Sequence, residues 1–357
     1  MTDRFGFGWR PELAIDLHRH LDRIDILEFL AEEWFGASPA RLDSLRAWCR
    51  LLPVHLHGTT LGLASVVPVE AARWDAWARL VAAVQPACWS EHLAFVRGGG
   101  IELGHLAAPP RTAATVAGAL HNVARARAVV GSAPLLENIA SLIDAPASQC
   151  DEVTWLTAII EGADARMVLD LHNLHANATN GGWSAHEALE RLPLARIAAV
   201  HVAGGRPWHG RVLDDHRHAV PDAVFELLQA VAARVPGPLD VILERDGDFP
   251  PIADLLAELD RARMAVAAGR AHRLQGGGTT VAGVGLPIVP GGMAVETFLA
   301  RLYTDSALRA GFLSDPSGVA RASGINEMDA QRLAHTDRHG LLLTADSLTA
   351  KRASSPA

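Results

Sequence analysis

The chain has 357 residues, of which 49% are hydrophobic and 20% charged, a balance typical of a globular protein with a substantial core. Its 40 acidic and 32 basic residues give a net charge of −8, which disfavours a nucleic acid partner because phosphates favour a basic surface. We expect a cytoplasmic protein with no membrane contact, since the sequence has neither a long apolar run nor the apolar core of a signal peptide.

Residues 1–270 alternate short β-like runs with longer amphipathic segments, which is typical of repeated βα units. Strands are predicted at 5–8, 24–28, 54–58, 88–92, 135–138, 167–170, 197–202 and 241–244. Helices are predicted at 38–50, 69–84, 112–130, 150–163, 184–191, 222–234 and 252–267. Eight such units predict an α/β fold, a (β/α)8 barrel of the TIM type. A doubly wound open sheet is the alternative.

Histidines and carboxylates stand at the ends of six predicted strands: His57, His92, Glu137, Asp170, His201 and Glu244. Parallel strands of a barrel bring their carboxyl ends to one mouth, so these side chains should face a common space. Imidazole nitrogens and carboxylate oxygens are ligands for divalent metals. Each residue alone could be structural, as a core or surface side chain, and the metal-site prediction rests on all six together.

Loop residues extend this candidate ligand set. Asp214 and His216 form a D-x-H pair after His201, and Asn173 lies three residues after Asp170, where its amide oxygen could bind a metal. Nine nitrogen and oxygen ligands could hold two or three metals with open positions. Hydrogen bonding to ligands is the expected role of five further residues: His55, His172, His175, His218 and Asp246. His105 is expected to be an ordinary surface histidine.

The composition changes near residue 271. Residues 271–292 are rich in Gly and Pro and are predicted to be a linker, which separates the barrel (1–270) from a small helical accessory domain (293–357). In this domain, helices are predicted at 294–310 and at 326–335, the second with Asn326 as its N-cap.

Seven motifs resemble the multinuclear non-haem iron-dependent oxidative enzymes, long catalogued as a domain of unknown function. The family includes the oxazolone-forming enzyme of methanobactin biosynthesis and the cysteine-modifying enzyme of the 3-thiaglutamate pathway. The resemblance covers about residues 5–265, with these motifs in order: HGTTLGL (57–63), SEHLAF (90–95), LLENIAS (135–141), LDLHNLHANATNGG (169–182), VHVAGG (200–205), LDDHRHAV (213–220) and ILERDGDFP (242–250).

The resemblance implies a xylose-isomerase-type barrel that holds two or three irons, Fe2+ and Fe3+, and uses O2 as co-substrate. In that family the iron centre binds the thiolate of a cysteine in a ribosomally synthesised precursor peptide. The resemblance places the metal ligands at nine positions: His57, His92, Glu137, Asp170, Asn173, His201, Asp214, His216 and Glu244. His172 stands where the family more often has asparagine, so it is a rival ligand, and the segment 214–218 also departs from the common pattern.

Family members often act with a small partner protein that recognises the peptide. Residues 293–350 could be a fused module that replaces this partner, or a lid or oligomerisation element. The main enzymatic alternative is a Zn- or Mn-dependent hydrolase or isomerase of the same barrel superfamily, such as an apurinic endonuclease. That enzyme has a histidine where Asn173 stands here. A non-catalytic metal-binding protein, with no open coordination positions, is the remaining alternative.

Overall fold

The computed structural model describes residues 2–273 and 292–354. Within these residues the strands are β1 (Arg4–Gly8), β2 (Ile26–Leu30), β3 (Val54–Gly58), β4 (Cys88–His92), β5 (Phe95–Gly98), β6 (Ile101–Ala107), β7 (Leu135–Glu137), β8 (Met167–Asp170), β9 (Ile197–Val202), β10 (Arg206–Trp208), β11 (Arg211–Leu213) and β12 (Asp240–Leu243). Eight of them are parallel and close into a barrel in the order β1-β2-β3-β4-β7-β8-β9-β12.

The helices of the barrel region are α1 (Ala14–Arg19), α2 (Pro39–Leu51), α3 (Ala71–Val84), α4 (Ala113–Val130), α5 (Glu152–Gly162), α6 (Leu171–Gly181), α7 (Ala185–Arg191), α8 (Asp222–Arg234) and α9 (Ile252–Arg273). A helical extension follows, with α10 (Gly292–Thr304), α11 (Ser306–Ser314), α12 (Pro316–Ala322), α13 (Glu327–Ala334) and α14 (Arg338–Ser354). Among the helices described, none combines the length and the apolar character needed to cross a bilayer.

The strand pairing confirms the predicted (β/α)8 barrel. Since β1 pairs with both β2 and β12, the sheet closes on itself, and the open-sheet alternative is wrong. Close approach of the first two strands requires Gly6, because a Cβ there would lie 1.7 Å from the carbonyl oxygen of Ile26. The parallel register then sets the height of each side chain: His92 is the partner of Glu137, and Asp170 is the partner of His201.

Four elements of the barrel region were not predicted: the short helix α1, two hairpins and helix α6. The hairpin β5–β6 leaves the barrel after β4, and the hairpin β10–β11 leaves it after β9. Helix α6 starts directly after β8, where the side chain of Asp170 accepts a hydrogen bond from the backbone N–H of Asn173 and caps the helix. Its sequence LHNLHANATNG is rich in residues of low helix propensity, and for this reason the helix was not predicted.

In the extension, the single helix expected at 294–310 is wrong. The side chain of Asp305 accepts hydrogen bonds from the backbone N–H groups of Ala307 and Leu308, so α10 ends and α11 begins at this residue. The helix expected at 326–335 is present as α13, capped by Asn326. Helix α14 was not predicted. Of the predicted 271–292 linker, residues 274–291 lie outside the described residues.

The extension and the hairpin β5–β6 share a second hydrophobic core. Phe95 and Leu103 of the hairpin belong to it, together with Phe298, Tyr303 and Phe312 of the extension. A polar contact fixes the same interface, since the fully buried carboxylate of Glu296 on α10 accepts hydrogen bonds from Ser65 Oγ (2.7 Å) and Val66 N (3.0 Å). The extension is therefore packed on the barrel beside the mouth at which the strands end.

We expect Phe298→Ala to lower the free energy of unfolding by about 3–5 kcal/mol, because it removes a ring that is only 2% exposed at the centre of this second core. Met293→Ala on the same helix is the matched control, since Met293 is 58% exposed and its truncation should cost about 0.5 kcal/mol or less. Urea unfolding of both variants measures the difference. Equal stabilities would show that the second core does not hold the extension in place.

Candidate metal centre

Ten candidate ligand side chains meet at the barrel mouth. Nine of them form three groups whose ligand atoms lie within 4.8 Å of one another inside each group: His57, His92 and Glu137; Glu137, Asp170, His201 and Glu244; and His172, Asp214 and His216. The tenth, Asn173, is buried in the first turn of α6 beside the cap residue Asp170. The first two groups come from strand ends, and the third comes from α6 and the segment after β11.

Glu137 belongs to both strand-end groups. Its carboxylate oxygens lie 3.5 Å from His57 Nδ1, 3.6 Å from His92 Nε2 and 3.2 Å from His201 Nδ1. Ligands bound to one metal at about 2.1 Å stand roughly 3.0–3.5 Å apart, a range that includes His201 and His57 and that His92 slightly exceeds. His57 Nδ1 also lies 2.8 Å from Ser90 Oγ. A carboxylate with histidines on both sides is suited to bridging two metals.

Whether these residues could hold a metal can be judged from the buried polar atoms that have no hydrogen-bond partner. Five such atoms face the mouth: Glu137 Oε2, Asp170 Oδ2, Asn173 Oδ1, His201 Nδ1 and His216 Nε2. Each unsatisfied buried group costs about 1–3 kcal/mol, so five in one cluster require an explanation. A bound cation would give these atoms a partner, in place of the ion pairs that His201 and His216 form with nearby carboxylates. The residues therefore fit a metal centre.

Neighbouring groups fix which atom each ligand presents. His92 Nδ1 donates to the carbonyl of Gly58 (3.0 Å), which directs Nε2 towards Glu137. The amide Nδ2 of Asn173 donates to the carbonyl of Asn138 (3.0 Å), which leaves Oδ1 as the available ligand atom. Such outer hydrogen bonds set the orientation and basicity of metal ligands.

The third group connects to the second through His216. Its Nδ1 lies 3.3 Å from Glu244 Oε2, and its Nε2 lies 2.9 Å from Asp214 Oδ1. His172 Nδ1 is 2.7 Å from the same oxygen of Asp214. His172 therefore either orients Asp214 or competes with it as a ligand, as its position in the sequence suggested.

Nearby carboxylates hold His201 and His216 in their charged forms, whereas burial lowers the pKa of His57 to about 3. Burial opposes charge on His201, yet Glu244, Glu28 and Glu137 outweigh it and raise the pKa of His201 well above its usual value. In the same way, Asp214 and Glu244 raise the pKa of His216 against burial. Without a metal, these two rings therefore keep protons at neutral pH, and a metal would have to displace them.

Glu28 contacts a candidate ligand and was missed by the sequence analysis. It lies on β2, is 2% exposed, and places its carboxylate oxygens 3.1 and 3.3 Å from His201 Nε2. This contact occupies Nε2 and leaves Nδ1 of His201 to face Glu137 and Glu244. The signal was present, since Glu28 is a carboxylate inside the apolar run ILEFL and ended a predicted strand.

The other histidines expected to support ligands lie elsewhere. His55 Nε2 contacts Asp240 (3.1 Å) two residues below His57 on β3, and exposed His218 hydrogen-bonds to Asp215 (2.9 Å). His175 is half-buried on α6 near His172. Asp246 accepts hydrogen bonds from Arg10, and its other oxygen lies 3.6 Å from His216 Nδ1. Of these residues, Asp246 is the one in reach of a predicted ligand.

A cavity of about 1160 Å³ opens above the ligands. Metal-site residues form its floor, and β6, the β10–β11 hairpin and α14 contribute walls. His105 of β6 lines this cavity, and burial lowers its pKa to about 3, so the expectation of an ordinary surface histidine was wrong. The hairpins and the extension, which pattern analysis did not place, therefore shape access to the centre.

Residues 4–267 match the family described as RiPP precursor modification enzymes MbnB/TglH/ChrH. A UPF0276 protein of Streptomyces avermitilis is 38% identical over 266 residues, which are 72% of this chain and 54% of that protein. The chain thus matches about half the length of this relative. A UPF0276 protein of Caulobacter vibrioides is 32% identical over 271 residues, which are 75% of this chain and 96% of that protein.

Among solved structures, an L-ribulose 3-epimerase aligns with a TM-score of 0.48 and 17% identity, over 77% of this chain and 99% of the epimerase. This similarity is too weak to carry a functional argument. The barrel assignment rests on the closed strand pairing itself.

We expect Glu28→Gln to weaken divalent-metal binding by about 10–100-fold, because the neutral amide no longer holds the Nε2–H of His201 with a full negative charge. Chelator competition with Fe2+ under anaerobic conditions measures the affinity. Glu226→Gln, an exposed glutamate on α8, is the matched control and should leave the affinity unchanged. Equal affinities of the two variants would contradict a role for Glu28 in orienting His201.

We expect metal binding to release protons and to tighten from about pH 6 to about pH 8, because His201 and His216 hold protons in the metal-free protein. The sign follows from the raised pKa values: higher pH removes protons that compete with the metal. Calorimetry in buffers of different ionisation enthalpy counts the released protons. A heat of binding independent of the buffer at pH 7 would contradict this assignment.

Proposed function

The chain belongs to the family of RiPP precursor modification enzymes MbnB/TglH/ChrH, and on this premise we propose that it oxidatively modifies a cysteine in a ribosomally synthesised precursor peptide, using a multinuclear iron centre and O2. The observation that carries the proposal is Glu137, a buried carboxylate shared by two groups of histidines beneath a large cavity. A carboxylate shared by two groups of ligands supports a centre with more than one metal ion. A barrel enzyme that binds a single metal does not require such a shared ligand.

The chemistry of the ligand set supports this centre. All candidate ligand atoms are nitrogen or oxygen, which suits iron, zinc or manganese, and the choice of two or three irons is part of the proposal. When bound, such a centre supplies thiolate ligation and dioxygen activation. Glu137 and His201 hold the middle of the centre, and Glu28 keeps the ring of His201 in place.

The cavity supports a peptide as substrate. Its volume of about 1160 Å³ exceeds the range of about 300–1,000 Å³ that is usual for small-molecule sites. The side chains of His57, His92 and Glu244 face it from the floor, so a cysteine that enters would meet the candidate ligands directly. The walls would orient the peptide on either side of the cysteine.

We also propose that the extension replaces the separate peptide-recognition partner of related enzymes. Support comes from its position: α14 lines the cavity, and Glu296 and the second hydrophobic core fix the extension on the barrel. A lid or an oligomerisation element is the alternative role. A cytoplasmic site for the reaction remains a proposal that rests on the sequence.

We expect the iron-loaded protein to change the mass of a cysteine-containing peptide encoded beside its gene, and only when O2 is admitted. Glu137→Gln or His201→Ala should abolish the change, because each removes a central ligand; at least about a hundredfold loss is expected. Mass spectrometry of the peptide, after anaerobic iron loading and exposure to air, is the measurement. Glu187→Gln, an exposed glutamate of α7, is the control.

Metal analysis of the same sample separates this function from its alternatives. Stoichiometric zinc with phosphodiesterase activity would replace the proposal with a hydrolase of the endonuclease kind. A saturated metal centre that consumes no O2 with any peptide would indicate a non-catalytic metal-binding protein.

A further inference from the structure

A second cavity, of about 340 Å³, opens at the end of the barrel opposite the candidate metal centre. Residues at the starts of strands line it: Arg4 begins β1, Cys88 begins β4, and Asp240 begins β12. Its volume lies within the range of about 300–1,000 Å³ that is usual for small-molecule sites. The amino ends of barrel strands normally contribute to stability, and this cavity adds a cysteine thiol to that end.

Cys88 is half-buried, and His55 is its neighbour in the cavity. The two residues are register partners on the adjacent strands β3 and β4, so their side chains lie on the same face of the sheet. His55 is 1% exposed, and its Nδ1 has no hydrogen-bond partner among the described residues. Its other nitrogen, Nε2, lies 3.1 Å from the carboxylate of Asp240. A buried imidazole nitrogen is therefore available beside the thiol.

Arginines give this cavity a positive charge. Arg4 holds Asp240, the single carboxylate among the described lining residues, through two hydrogen bonds of 2.6 Å. Arg166 also lines the cavity, is exposed, and forms no ion pair with any described residue. Two guanidinium groups thus face one carboxylate, which leaves one positive charge without counting His55. Hydrogen bonding to Asp240 raises the pKa of Arg4 against burial, and negative charge on Cys88 adds to the effect, so the sulfur lies within the field of this guanidinium.

The other two cysteines have different surroundings. Cys49 and Cys150 are also half-buried, but burial raises the pKa of each thiol. Arg111 acts in the opposite direction at Cys150, but it forms an ion pair with Asp144. The thiolate is the reactive form of cysteine, and reactive thiols occur in partly exposed, electropositive surroundings. Cys88 has such surroundings, with an unpaired guanidinium group on the same cavity.

We propose that Cys88 is a thiol-modification site that exchanges with small anionic disulfides, which Arg4 and Arg166 attract to the sulfur beside His55. This inference is independent of the metal centre and of the proposed peptide substrate. In the exchange, Cys88 loses its proton to solvent, and its sulfur attacks one sulfur of the disulfide. A new S–S bond joins Cys88 to half of the reagent, the old S–S bond breaks, and the other half leaves as a thiolate. One disulfide is consumed and one is formed, so no further oxidant is needed.

Oxidised glutathione, an anionic disulfide, is the probe for this site. The full-length protein is loaded with Zn2+, which has no redox chemistry of its own, and acid quenching followed by peptide mass mapping gives the modification rate of each cysteine. We expect Cys88 to acquire the glutathionyl group about tenfold faster than Cys49 or Cys150, because its surroundings favour the thiolate. Cys88→Ser should remove the fast modification. Equal rates at the three thiols, or a slower rate at Cys88, would overturn the proposal.

The charge of the reagent distinguishes an electropositive site from a thiol that is only accessible. We expect Arg166→Gln to slow the glutathionylation of Cys88 by about threefold or more and to leave its reaction with the neutral hydroxyethyl disulfide unchanged. Because Arg166 is exposed, this substitution should not prevent folding. Arg125→Gln, at an exposed arginine of α4 outside the cavity lining, is the matched control and should change neither rate. An equal effect of Arg166→Gln on both disulfides would overturn the proposal.

Discussion

The arrangement of the whole site depends on the contact between the buried carboxylate of Glu137 and the histidines around it. Glu137 ends β7, the shortest barrel strand, and stands in register with His92 on one side of the sheet. Its oxygens also approach His57 and His201, which come from strands that are not its neighbours. These side chains can meet only because the sheet is closed and its interior side chains converge. The geometry of the ligands therefore depends directly on the closure of the barrel.

The sequence predicted the parts of the site that repeat along the chain. Runs such as 167–170 and 197–202 are apolar because both faces of these strands are buried. The strands and the residues at their ends could therefore be predicted. Glu28 stood at the end of a predicted strand, but its contact with His201 across the barrel, which no local pattern specifies, was not identified. Sequence periodicity predicts the strands, but it does not predict which pairs of side chains meet inside the barrel.

The walls of the cavity illustrate a second limit of prediction from the sequence. The composition change near residue 271 marked the extension, and an Asn cap marked α13, because both are local signals. The docking of α14 depends instead on long-range contacts, such as Arg211 with Asp337, and on a core shared with β5–β6. Only the three-dimensional arrangement could show that residues more than two hundred positions apart line one cavity.

The charges of the centre link metal binding to the stability of the barrel. Burial raises the pKa of Asp170, with Asp214 and Glu137 adding to the effect, whereas His201 and His216 lower the pKa of Glu244. These groups cannot all be ionised without a compensating charge, since each buried ion without a partner is costly. A metal supplies that charge in place of protons, so binding should stabilise the folded state. The barrel can thus keep several carboxylates in its interior, and the loops and the extension are free to determine which substrate reaches them.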